Sequence, residues 1–275
     1  MQRRQGKWND STATYQKAVS VDPKDAILLE NLGSNYVATR NYPAAAKVFD
    51  RAISVAPDTF TVRELRTRID FYTKGDLRPL EQFLATLPEA NDPNGTITLT
   101  RFNLLMYQRK FDQAIAMLKR SPAERSRGET SAPISKEFLL ATVYRQQGDE
   151  ANARANYEIA REKAEAAVFE NPDDPPRHAL LGLIYAGLGR CDDAKRTADR
   201  AAELLPENRD AFDGPIMAIS RARIYAMCGD KETALSALEH SLQTPAGITT
   251  SELRFDPVWD PVRNEPRFQK LISAD

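Results

Sequence analysis

The sequence lacks a long apolar run, has only two cysteines and two histidines, and carries no excess of either charge. The first absence excludes a membrane-spanning helix, which needs about 20 consecutive, mostly apolar residues. Cys191 and Cys228 are too few for a disulfide framework. They could pair only where the fold brings them together, so the redox compartment stays open. With 38 basic against 39 acidic residues, the chain lacks the positive excess that a general nucleic-acid or membrane-surface binder needs. His178 and His240 do not form a helical pair with a glutamate, and no Cys-x-x-Cys is present, so no metal site is expected. The stretch GDKET at Gly229 lacks the frame of a phosphate loop. No Gly-x-Ser-x-Gly elbow or Ser/His/Asp arrangement appears. No catalytic residue, cofactor or metal ligand is assigned, and the chain is not expected to be an enzyme. The N-terminus MQRRQGKWND is basic without the apolar core of a signal peptide. That pattern predicts a cytoplasmic protein if the chain is native, or a periplasmic one if it is cut from a membrane-anchored parent.

What is present is ordered. Apolar residues make up 41% of the chain and charged ones 28%, the range of a folded domain. From Ala26 to Thr59 runs a 34-residue helix–turn–helix unit with Gly33 and Tyr36 on its first helix, Ala45, Phe49 and Ala52 on its second, and Pro57 closing it. The turn recurs at Gly6, Arg40, Gly75, Arg109, Gly148, Gly189 and Gly229, in steps of 34, 35, 34, 39, 41 and 40 residues. A large residue precedes each marker by four places from the second onward, and a small one follows five places later, Leu80 excepted. Antiparallel helices about 8–10 Å apart need such small residues to admit a knob from the partner. Glycine at the turn ends the first helix in a left-handed conformation. Asp149, Asp193 and Asp230 then stand where a carboxylate can cap the next helix.

The pattern predicts an all-α solenoid of antiparallel helix pairs, with about six and a half to seven repeats and a C-terminal cap. Residues 1–120 hold the N-terminal units, the first of them truncated. Residues 121–135 read as an exposed linker, 136–247 as the C-terminal units, and 248–275 as a capping tail. A long second helix is expected from Glu150 to Glu170, stopped by the prolines of NPDDPP, and a short final helix from Pro266 to Ser273. NDPNG at Asn91 to Gly95 reads as a loop. Arg63, Arg66 and Arg68 with Glu64 and Asp70 read as a solvated face with local ion pairs rather than a basic stripe for a ligand. The incomplete first unit leaves one helix flank open.

The 34-residue spacing resembles the tetratricopeptide repeat. The runs RRQGKW, YAGLGR, AFDGP and RFDPVWDPVRNEPRFQKLI are similar to C-terminal tetratricopeptide arrays of bacterial multidomain signalling proteins, where such arrays follow a kinase, cyclase-type or winged-helix domain. The resemblance implies a regulatory or scaffolding module and supplies no catalytic residue.

In that repeat family the leading helices line a concave groove. This selects Tyr72, Asn103, Tyr107, Phe138, Thr142, Arg145, Leu183, Ile219, Arg223 and Met227 as partner-binding residues, within a wider wall that includes Glu30, Ser34, Val37, Ile69, Met106 and Ala186. The expected partner is a protein or peptide segment, with no nucleic acid and no membrane insertion. The alternatives are a spacer or homodimer module using the exposed first unit, and a fragment of an enzyme whose catalytic domain lies upstream.

Overall fold

The computed structural model describes residues 1–88, 92, 94–127 and 132–273. Asn91 and Pro93 of the expected NDPNG loop, and residues 128–131 of the expected linker, lie outside the described residues. The helices follow the repeat. After a 3-10 turn at Gln2–Gln5 come α1 (Trp8–Val21), α2 (Ala26–Ala38), α3 (Tyr42–Val55), α4 (Phe60–Lys74), α5 (Arg78–Ala85), α6 (Thr96–Tyr107) and α7 (Phe111–Arg120). A hairpin of β1 (Arg125–Arg127) and β2 (Pro133–Ser135) leads to α8 (Lys136–Gln147), α9 (Glu150–Glu170), α10 (Pro175–Gly187), α11 (Cys191–Leu204), α12 (Gly214–Met227) and α13 (Lys231–Gln243). The tail holds α14 (Thr250–Phe255), a 3-10 turn at Pro257–Val262 and α15 (Pro266–Ser273). The fold is an all-α helical repeat.

Every turn marker is left-handed. Gly6, Gly75, Gly148, Gly189 and Gly229 have φ between 66° and 84°, and Arg40 and Arg109 adopt 59° and 54°. The small-residue column is the seam of each helix pair, with Ala45, Ala114, Ala153, Ala194 and Ala234 all buried. Gly33 packs so closely on Phe49 that a Cβ there would lie inside van der Waals contact with the ring. Helix starts are capped where the sequence offers oxygen: Asp25 accepts from the amides of Ile27 and Leu28 at 2.8 and 3.0 Å. Asp149 and Asp230 likewise accept from Asn152 and Thr233 at 3.1 and 3.3 Å. Asp193 departs from expectation: it lies inside the first turn of α11, where it pairs with Arg190 and Arg196 and caps no amide.

The arginines of α4 are all engaged locally. Arg66 meets Asp50 at 2.7 Å, Arg68 pairs with Glu64 one turn away, and Arg63 lies 4.6 Å above the Phe83 ring. Within 121–135, β1 and β2 pair antiparallel, Ser126 opposite Ile134, and bury Ser126 and Ala132. Cys191 at the start of α11 and Cys228 just past α12 form a disulfide with their Cα atoms 5.6 Å apart.

The open flank of α1 is covered from the far end of the chain. The Ala211 amide donates to the Arg4 carbonyl at 2.8 Å, and Arg4 pairs with Asp210 and with Asp213. Arg3 stacks 4.1 Å above the Phe212 ring, whose centroid lies 6.3 Å from that of Trp8. The connection between α11 and α12 thus docks on the first unit, and the solenoid meets itself.

Candidate functional site

Leading helices touch directly in the pairs α2 with α4, α8 with α10 and α10 with α12, while no pair of trailing helices comes as close among the described residues. A curved stack is tighter on its inner side, so the leading helices form the concave wall. The tail enters from the C-terminal end and crosses this wall.

Its contacts run from Ala246 to Asp260. The Ala246 amide donates to the Ala38 carbonyl at 2.8 Å. Arg40 Nη2 donates to the Leu242 and Ile248 carbonyls, both at 2.9 Å. Ser251 Oγ donates to the Tyr72 carbonyl at 3.3 Å. The Phe255 ring stands edge-on to Phe71 at 5.6 Å, and Arg109 grips Asp260 with two bonds of 2.7 Å. On its other side the tail is core: Leu253, Trp259, Val262 and Phe268 are fully buried with Tyr225, Leu235 and Leu238 of α12 and α13. That packing seats the tail against α12 and α13, while α14 also reaches α4.

The candidate residues fall into two groups. Tyr72, Tyr107, Ile219 and Arg223 lie at the tail. Tyr107 stacks on Phe71 at 5.1 Å, and burial raises its phenol well above the ordinary value. Arg223 Nη2 reaches Asp256 at 3.1 Å, with the guanidinium 5.9 Å from the Trp259 ring. Ile219 packs on the same core as Trp259. The second group lies on later units. Phe138 stands edge-on to Tyr157 at 6.2 Å, and its carbonyl accepts from the Thr142 hydroxyl at 2.8 Å. Arg145 is half-buried, its Nη1 without a hydrogen-bond partner among the described residues. Leu183 and Met227 pack beside Ala186 and Ile224. Asn103 is half-buried on α6. Of the wider wall, Ile69, Met106 and Ala186 are buried between units, where they pack and line nothing.

Two carboxyls of the tail titrate in opposite directions. Burial raises Asp256 above its usual range, and Arg223 and Arg263 do not fully offset it. Asp260 is also pushed up by burial, but hydrogen bonds from Arg109 and Arg263 outweigh that and hold it below the ordinary value. Sequence reasoning missed Arg40, Arg109, Ser251, Phe255, Asp256 and Asp260 as groove contacts. One signal was there: Arg40 and Arg109 stand where the other five markers are glycine.

Elsewhere the chemistry is sparse. His178 Nε2 donates to the Pro172 carbonyl and His240 pairs with Glu207, each at 2.7 Å. Asp174 accepts from the Arg177 amide at the start of α10. Among the described residues no cluster of three or more His, Cys, Asp or Glu could hold a metal ion, and no helix is long and apolar enough to cross a membrane.

A family model described as tetratricopeptide repeat matches residues 2–59. The first units are thus similar to the tetratricopeptide repeat, and the helical repeat continues beyond them to α13. Among curated proteins it is 22% identical over 231 residues to anaphase-promoting complex subunit 3 of Schizosaccharomyces pombe (strain 972 / ATCC 24843), covering 84% of this chain and 32% of that protein. It thus spans about a third of the length of that relative. A tetratricopeptide repeat protein from Parabacteroides merdae ATCC 43184 aligns with a TM-score of 0.49 at 13% identity, over 98% of this chain and 92% of the other. YrrB, a tetratricopeptide repeat protein with an unusual peptide-binding site, aligns at 0.28 and 14%, over 93% and 96% of the two chains. The Naa15/Naa10 complex bound to HypK-THB aligns at 0.26 and 14%, over 100% and 52%. Tetratricopeptide repeats are protein–protein interaction scaffolds, stacking units into an extended concave surface.

Proposed function

We propose that this helical-repeat protein is a non-catalytic scaffold that binds an extended or helical segment of a partner protein in its concave groove. Tyr72, Asn103, Tyr107, Phe138, Thr142, Arg145, Leu183, Ile219, Arg223 and Met227 supply the contact set, and the module serves as a regulatory part of a larger bacterial signalling protein. One observation supports the reading above others. The wall already holds a segment of the chain's own tail through backbone carbonyls, aromatic rings and arginine forks, the groups with which proteins recognise peptides. Arg145, half-buried on α8, adds a guanidinium to that set. The Cys191–Cys228 disulfide fits an oxidising compartment such as the periplasm.

The test selects binders from a displayed-peptide library on the purified chain and measures them by fluorescence anisotropy against Arg145→Glu. A loss of affinity of tenfold or more at an unchanged melting temperature is expected. Equal affinity refutes the groove assignment. Self-association is a second reading, supported by Val21 and Ile27, which stand 81% and 71% exposed on the first two helices. A monomer in sedimentation at tens of micromolar refutes it.

A further inference from the structure

Among the described residues, three that are not glycine have a positive φ: Arg40, Arg109 and Ala246, at 59°, 54° and 58°. All three lie on the seam between the tail and the N-terminal units. Backbone held in that region is costly for a side chain and persists where the surroundings over-determine it, most often at switch regions and ligand clamps. Here each strained residue places a group across the seam: Arg40 on two carbonyls, Arg109 on a carboxylate, and the Ala246 amide on Ala38.

The two sides of the tail are unequal. Toward α12 and α13 it presents Leu253, Trp259, Val262 and Phe268, all fully buried. Toward α2, α4 and α6 it presents half-buried Phe255, three backbone-directed hydrogen bonds, and an ion pair whose side chains are 45% and 35% exposed, while Arg40 adds a bond to the Leu242 carbonyl of α13. Exposed, polar contacts open at lower free energy than buried apolar ones. Separation therefore leaves the tail on the C-terminal units and bares the N-terminal wall. The second seam, at Arg4 and Phe212, keeps that opening local.

We infer that residues 246–260 are a latch over the N-terminal part of the groove. The wall beneath it fits a partner segment carrying an aromatic residue and a carboxylate five positions on, as in Phe255 and Asp260. The bared wall is aromatic at Tyr42, Phe71, Tyr72 and Tyr107, and basic at Arg40 and Arg109. The inference rests on the groove-binding reading and adds the sequence character of the ligand and its control by the chain's own tail.

The test weakens the latch from the tail side, leaving the wall intact, in Phe255→Ala/Asp260→Asn. Hydrogen exchange is followed at the amides of Ala246 and Leu238, and a labelled synthetic peptide of residues 249–262 is titrated into variant and wild type. The expected result is exchange at Ala246 at least tenfold faster with Leu238 unchanged, and peptide binding at least tenfold tighter to the variant. Unchanged exchange at Ala246 overturns the latch. Faster exchange without tighter peptide binding overturns the assigned ligand chemistry, independently of the Arg145 test. A variant that dimerises on opening assigns the wall to a second copy and overturns the proposal as well. Should the variant fail to fold, wild-type exchange decides: Ala246 must be at least tenfold less protected than Leu238, and equal protection overturns the latch.

Discussion

Arg109 holds Asp260 with two guanidinium nitrogens, each at 2.7 Å, across 151 residues of sequence. Partly exposed pairs of this kind contribute about 0–1 kcal/mol. The left-handed backbone of Arg109 costs about 1–3 kcal/mol. The pair therefore does not earn its place through stability. It sets where the tail lies.

The first prediction separates turn from seam. In Arg40→Gly/Arg109→Gly both turns keep their left-handed conformation without strain, while the contacts to Leu242, Ile248 and Asp260 disappear. Relief of strain and loss of contacts roughly cancel. The melting temperature is expected to stay within a few degrees of wild type, and the Ala246 amide to exchange at least tenfold faster. A large fall in melting temperature would show that the arginines hold the turns themselves.

Helix-pair packing gives the second prediction. Gly33→Ala drives a methyl into the Phe49 ring, and Ala194→Leu overfills a fully buried seam. Each should destabilise by about 1–3 kcal/mol, or about 2–4 °C per kcal/mol for a chain of this size. Unchanged thermal melts would refute the assigned register.

The disulfide supplies the third. Cys191 and Cys228 are 37 residues apart and tie the start of α11 to the end of α12. Cys191→Ser/Cys228→Ser should lower stability by about 2–4 kcal/mol in denaturant unfolding, and reductant should do the same to wild type. Two free thiols on alkylation of the unreduced protein would refute the bond.

Acid should release the seam. The carboxyl of Asp260 titrates below its ordinary value, so its contribution is fully present above the unfolded value, about 3.9, and is lost as pH falls through the lower folded value. The Ala246 amide, corrected for intrinsic exchange, should keep its protection from neutral pH to about 4 and lose it below. In Asp260→Asn that acid-dependent loss should vanish. Asp256 acts in the opposite sense. Its folded value is raised by burial, so its contribution is greatest below the unfolded value and declines as pH climbs through the raised one.

Much of the fold was legible because it is local. The marker column located all seven turns, and α9 and α15 span Glu150–Glu170 and Pro266–Ser273, as their prolines and apolar spacing require. The tail was legible as something too apolar for water, and Trp259 and Phe268 do bury against the last repeat. Its path to Phe71 and Arg109 was not. That path depends on curvature, the sum of small rotations between units, which no single window records. The pairing of Cys191 with Cys228 was hidden for a simpler reason: it needs the distance between one helix start and another helix end. The hairpin at Ser126 and Ile134 was masked by a run of Ser, Pro and Gly that reads as loop.

The contact of Arg4 with the connection before α12 changes how the molecule should come apart. An open stack of repeats is a line, and in nearest-neighbour terms it can fray one unit at a time from whichever end is weaker. Joined at Arg4 and again at Asp260, this stack is a circle, with no terminal unit whose loss costs only one interface. The first unit to melt must break two at once, so unfolding becomes more cooperative than its repeat architecture alone would make it.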